Sequence, residues 1–99
     1  MVEYTIEIHT PGKTSLRKYM GMKSLSSVRA IAARDYLTGK NEIRVYSIRG
    51  GSDLTYKGRV FKNPRGTLLW ESTKYGRRGY ETSTYEMKPD GEIKIIRRS

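Results

Sequence analysis

The chain opens on a strict alternation, with Val2, Tyr4, Ile6 and Ile8 apolar and Glu3, Thr5, Glu7 and His9 polar between them. Side chains of a strand point to opposite faces in turn, so this period of two predicts a half-buried strand with one polar face. TPGKT interrupts it as a turn. Ser15 to Met22 then predicts a second strand, with Leu16, Met20 and Met22 on one side. From Leu25 the period changes. Leu25, Val28, Ile31, Ala32, Tyr36 and Leu37 form one stripe of a helix over about residues 25 to 38. Ser24 is placed to cap its first turn and Gly39 to close its end. Arg29 and Arg34 fall off the stripe, so the helix is expected to show a basic outer face.

Beyond the helix the period of two returns. EIRVYSIR (42–49) reads as a strand and GGSD as the hairpin turn after it. Leu54, Tyr56 and Val60 are assigned to one face of the next strand, and Thr55, Lys57, Arg59 and Phe61 to the other. NPRG turns the chain, after which Leu68, Trp70 and Ser72 alternate with Thr67, Leu69, Glu71 and Thr73. KYGRRG turns it again before a strand from Tyr80 to Met87. KPDG is the last turn, and Glu92 to Arg98 reads as a closing strand with Arg97-Arg98-Ser99 as a frayed tail. The order ββαβββββ predicts one small α+β domain over residues 1–99, a single helix packed on a mainly antiparallel sheet. The alternation of Trp70 with Leu68 places that lone tryptophan in the core.

Composition narrows this picture. Of 99 residues, 35% are apolar, and eight of those are tyrosines, which pack by the ring while the hydroxyl seeks a partner or water. A core this thin leaves room for completion by a second copy, as a homodimer, or by a partner. The absence of cysteine excludes disulfides and thiolate metal sites. The first residues do not resemble a secretory signal, and no apolar run approaches the roughly 20 residues of a membrane-spanning helix. The expectation is a soluble, cytoplasmic protein with no membrane partner.

Charge changes the picture more. Twenty Lys and Arg oppose ten Asp and Glu, giving a formal charge of +10 and a pI near 10.0. A field of that size attracts polyanions, of which nucleic acid is the usual one. The excess is concentrated between Arg44 and Arg78, where nine cations face only Asp53 and Glu71. Lys57 and Arg59 share a predicted strand face, with Lys62 close behind. Arg65 and the Arg77-Arg78 pair lie in turns, with Lys74 beside the second, and both turns are expected to project from the same end of the sheet. Arginine forks match phosphate oxygens, and glycines beside them let backbone N–H groups approach. Tyr46, Tyr56, Tyr75 and Tyr80 interleave with the cations, as stacking surfaces for unpaired bases would. The candidate nucleic-acid contacts are Lys57, Arg59, Lys62, Arg65, Lys74, Arg77 and Arg78, together with Tyr75 and Tyr80.

Catalytic signals are weaker. GKT at 12 to 14 would end a phosphate-binding loop only with a glycine at position 7, where Glu7 stands. His9 is the only histidine and reads as an exposed strand end. Glu3 and Glu7 are four strand positions apart, about 13 Å by strand rise, which is too far for one catalytic carboxylate pair. They are expected to offset neighbouring cations. No catalytic residue, metal ligand or cofactor is assigned. A small metal-independent ribonuclease is kept as an alternative, because Tyr, Lys, Arg and His suffice for its chemistry.

The short length, basic balance, single helix and glycine-marked hairpins resemble the general style of small accessory proteins of phages and mobile elements. That resemblance implies a further alternative, an inhibitor that binds a host defence enzyme such as a CRISPR nuclease through an acidic protein surface or its guide RNA. The principal expectation is a non-catalytic basic domain that binds nucleic acid, RNA or DNA, or a nucleoprotein complex, through phosphate contacts from its central hairpins.

Overall fold

The computed structural model describes residues 2–95. Strands β1 (Val2–His9) and β2 (Leu16–Lys23) precede helix α1 (Leu25–Ile31), which continues as one wider π-helical turn over Ala32–Tyr36. Five strands follow: β3 (Glu42–Arg49), β4 (Asp53–Lys62), β5 (Leu68–Gly76), β6 (Gly79–Met87) and β7 (Ile93–Ile95). All pair antiparallel in one seven-stranded sheet of order β2-β1-β3-β4-β5-β6-β7. The expected architecture is therefore present. The proposed tail, and the part of the closing strand beyond Ile95, lie outside the described residues.

The helix covers the face that the alternation marked as apolar. Tyr4, Ile6, Ile43, Val45, Val60, Trp70 and Met87 from the sheet meet Val28 and Ala32 from the helix in one buried cluster. Trp70 is 1% exposed, so the only tryptophan is a core residue. Ser24 caps α1 as expected, its hydroxyl accepting from the Ser27 N–H at 3.2 Å. The other end differs from expectation. The Leu37 N–H reaches back five residues to the Ala32 carbonyl, and Leu37 itself is extended, so the helix closes before Gly39. Asn41 does the capping instead, donating to the Tyr36 carbonyl and accepting from the Thr38 N–H. The wider turn rotates the stripe: Ala33, Tyr36 and Leu37 pack on the core, while Ile31 is only half-buried.

Arg29 is the second correction on the helix. It is 7% exposed, its Nε donates to the Gly91 carbonyl at 3.0 Å, and its guanidinium lies 5.2 Å from the Trp70 ring. Burial lowers its pKa, and Glu92 and Tyr4 only partly oppose that. It fastens the β6–β7 turn to the helix and presents no charge outward. Gly91, at φ 89, lies against the Ser26 carbonyl, where any β-carbon would collide.

Two β-bulges curl the sheet around the helix. In β2 the pairing of Tyr4 with Gly21 and Thr5 with Tyr19 leaves Met20 as the extra residue. Met20 turns to the core, and Met22 comes to the opposite face beside Glu3, so Leu16, Met20 and Met22 do not share one side. In β4, Val45 pairs with Gly58 but Tyr46 pairs with Tyr56, leaving Lys57 extra. The alternation restarts there. Tyr56 and Leu54 consequently lie opposite to Val60, and Lys57 leaves the row of Arg59 and Phe61.

Candidate nucleic-acid interface

Hairpin-linked strands place successive turns at opposite ends of a sheet. The Asn63–Thr67 turn carrying Arg65 therefore sits with the Thr10–Ser15 turn and the 37–41 segment, whereas Arg77 and Arg78 sit at the other end. The nine residues of β5 between them span about 30 Å. The expectation that both arginine turns share an end is overturned by this topology.

At the second end the sheet divides. β4 and β5 pair only from Lys62–Leu68 to Gly58–Ser72, whereas β5 and β6 stay paired to Gly76–Gly79. Gly58 is the fork. It is buried at φ 150, and a β-carbon there would meet the Glu71 carbonyl and come within 2.8 Å of the Trp70 ring. Thr73 to Thr82 thus form a two-stranded arm reaching about 13 Å past the last β4 pair. Tyr75 and Tyr80 face each other across it, ring centroids 5.2 Å apart and edge to face, and remain 78% and 74% exposed. Arg77 and Arg78 form its tip and are exposed. Among the described residues neither they nor Lys74 make an ion pair, although Glu81 stands opposite Lys74 in register. Between the arm and the β3–β4 hairpin opens a cleft of about 810 Å³ lined by Arg49, Lys57, Tyr75, Met22, Val2 and others.

The middle of the sheet's outer face is different. In register across five strands stand Arg17, Glu7, Arg44, Arg59 and Glu71. Arg44 opposite Arg59 would repel. Glu42 resolves the conflict, accepting from Arg44 Nε at 2.6 Å and Arg59 Nη1 at 2.9 Å, while Arg59 Nε donates to Glu71 at 3.0 Å. The Arg59 guanidinium also lies 4.1 Å from the Phe61 ring. At the ladder's other end Glu7 accepts from Arg17, His9 and Tyr46. Partial burial opposes ionisation of Glu7, but these hydrogen bonds outweigh it and hold the pKa at about 2. Glu42 is lowered for the same reason, the bonds from Arg44 and Arg59 overcoming its burial. Glu7 therefore offsets cations, as expected, whereas Glu3 accepts from Tyr19.

The first end holds a second cleft, of about 460 Å³, lined by Lys13, Lys40, Lys62, His9, Ser15 and Asn41 over a floor of Glu42, Arg44, Arg59 and Phe61. Its three lysines make no ion pair among the described residues.

The predicted contacts therefore separate into three groups. Lys57, Lys74, Tyr75, Arg77, Arg78 and Tyr80 gather at the arm. Arg59 is engaged in the ladder. Lys62 and Arg65 belong to the far end, where Asn63 Oδ1 accepts from the N–H groups of Arg65 and Thr67 to shape the turn. Sequence reading missed Arg49 at the arm and Lys13 and Lys40 at the far cleft, because strand order, not spacing, brings them in. The chain matches no family model, no curated protein and no solved structure. No helix among the described residues is long and apolar enough to cross a membrane.

Proposed function

We propose that this protein binds nucleic acid, free or within a nucleoprotein, through the β5–β6 arm and the cleft at its base. The observation that carries the reading is the arm itself. Two tyrosine rings, 78% and 74% exposed, stand beside two glycine-flanked arginines that no carboxylate among the described residues pairs. Exposed rings are stacking surfaces for unpaired bases, and free guanidinium groups are phosphate ligands. Lys57 and Arg49 at the base extend the cationic path. The reading favours single strands, requires no cofactor, and places the protein in the cytoplasm with nucleic acid.

Fluorescence anisotropy with labelled single-stranded RNA, single-stranded DNA and duplex of equal length, each across a salt series, tests this. Log affinity is expected to fall linearly with log salt, and more tightly held single strands should be evident at each salt concentration. Each lost phosphate contact on a single strand flattens the slope by about 0.7, so Arg77→Glu/Arg78→Glu should flatten it by about 1.4. An unchanged slope in that variant removes the arm as the interface.

A further inference from the structure

We propose that the cleft at the lysine-rich end is a metal-independent ribonuclease site, with His9 as the base. It shares a ligand class with the arm but none of its residues, so each can fail alone. Sequence reading left His9 as an exposed strand end, yet the fold seats it between two partners. Its Nε2 lies 2.9 Å from Glu7 Oε1, and its Nδ1 lies 3.1 Å from Ser15 Oγ.

These contacts fix the tautomer of the neutral ring. Glu7 is held ionised by Arg17 and Tyr46 as well as by His9, so its oxygens only accept. Nε2 must then carry the hydrogen, and in the neutral ring Nδ1 keeps its lone pair. The Ser15 hydroxyl donates to it, marking where a substrate hydroxyl would bind. A carboxylate that orients an imidazole, with the far nitrogen free to take a proton, is the arrangement a general base requires. His9 and Ser15 both line the cleft.

The cleft's charge indicates the substrate. Arg44 and Arg59 are already matched by Glu42 and Glu71. Lys13, Lys40 and Lys62 pair with no carboxylate among the described residues, which leaves a cationic cleft suited to an anion that gains charge during reaction. An RNA phosphodiester is such an anion and brings its own nucleophile. Its 2′-hydroxyl takes the place of the Ser15 hydroxyl at Nδ1. As Nδ1 accepts the proton, the 2′-oxygen bonds to phosphorus and the bond from phosphorus to the 5′-oxygen breaks. The leaving 5′-oxygen takes a proton from a lysine ammonium of the cleft. The products are a 2′,3′-cyclic phosphate and a 5′-hydroxyl. The imidazolium gives its proton to water and the lysine regains one, so no metal, oxidant or further reactant enters the balance.

The test incubates the full chain with a single-stranded RNA oligonucleotide in a chelator, beside the same sequence made with 2′-deoxy sugars. RNA should be cut to 2′,3′-cyclic phosphate ends, identified by mass, and the deoxy strand left intact. His9→Asn should slow cutting by about 100-fold or more, with an unchanged thermal melt showing that the fold survives. Lys40→Ala, on a surface segment, should also slow it without loss of fold. Ser15→Ala should cut at least as fast as the natural protein. Three results overturn the proposal: no cutting by the natural protein, cutting that survives His9→Asn, or cutting abolished by Ser15→Ala, which would make Ser15 the nucleophile. The two readings fail separately: strand binding measured by anisotropy follows Arg77→Glu/Arg78→Glu at the arm, and cutting follows His9→Asn at the cleft.

Discussion

Two tyrosine pairs on this sheet have nearly the same geometry and opposite surroundings. Tyr46 and Tyr56 lie across β3 and β4 with ring centroids 5.3 Å apart; Tyr75 and Tyr80 lie across β5 and β6 at 5.2 Å. The first pair is half-buried beside a ladder in which Glu7, Glu42 and Glu71 bind Arg17, Arg44 and Arg59. The second is exposed, beside arginines with no such partners among the described residues. Residue type does not separate them. What separates them is whether a carboxylate engages the cations beside them. In the middle of the sheet it does, and the charge is spent on cohesion; past the fork at Gly58 the strands lose a neighbour on one side, and the charge stays available.

The fork is where the comparison can be broken most severely. Trp70→Ala should destabilise the domain by about 3–5 kcal/mol, the range for emptying a large core side chain. Gly58→Ala should also destabilise strongly, because its β-carbon has the Trp70 ring and the Glu71 carbonyl in its way. Chemical denaturation measures both. A Trp70→Ala protein that melts like the natural one would mean that β4 and β5 are not held together as described.

Removing the rings sharpens the comparison next. Tyr75→Ala/Tyr80→Ala should weaken single-strand binding by about 1–3 kcal/mol for each base that stacks, and Tyr46→Phe should leave it unchanged. Equal losses from both tyrosine sites would erase the distinction between middle and arm.

Acid titration acts on the middle. Glu7 is held at about 2 against an ordinary 4.5, so the folded state binds fewer protons than the unfolded chain between those values. Its contribution to stability is complete above about pH 4.5 and is lost as pH falls toward 2, with Glu42 adding in the same direction. The melting temperature should drop across that window, and Glu7→Gln should make the drop shallower. A drop of equal depth in Glu7→Gln would detach the ladder from acid stability.

The smallest expected effect is Glu42→Gln. Partly exposed ion pairs contribute about 0–1 kcal/mol, so stability should fall little. Arg44 would lose its carboxylate and Arg59 would keep only Glu71, and polyanion affinity at low salt should rise. An unchanged affinity would show that pairing with Glu42 is not what keeps these arginines from binding.

Much of this molecule is determined by local pattern. The strand EIRVYSIR occupies residues 42–49 as read, Ser24 caps the helix, and Trp70 is buried, because alternation, capping and apolar stripes act over a few neighbouring residues. The arm tip was legible for the same reason: GRRG between tyrosines is a local arrangement. Three things were decided only by tertiary structure. The bulges at Met20 and Lys57 reset the alternation, since an extra residue in one strand is defined only against its partner. Arg59 and Arg29 were claimed by Glu42, Glu71 and the Gly91 carbonyl, partners far away in the chain. And Lys13, Lys40 and Lys62, in three separate segments, met around one cleft because β1, β3 and β4 lie side by side with their turns at one end. Spacing along a chain specifies which face a side chain takes within its own strand; only the pairing of strands specifies what stands beside it.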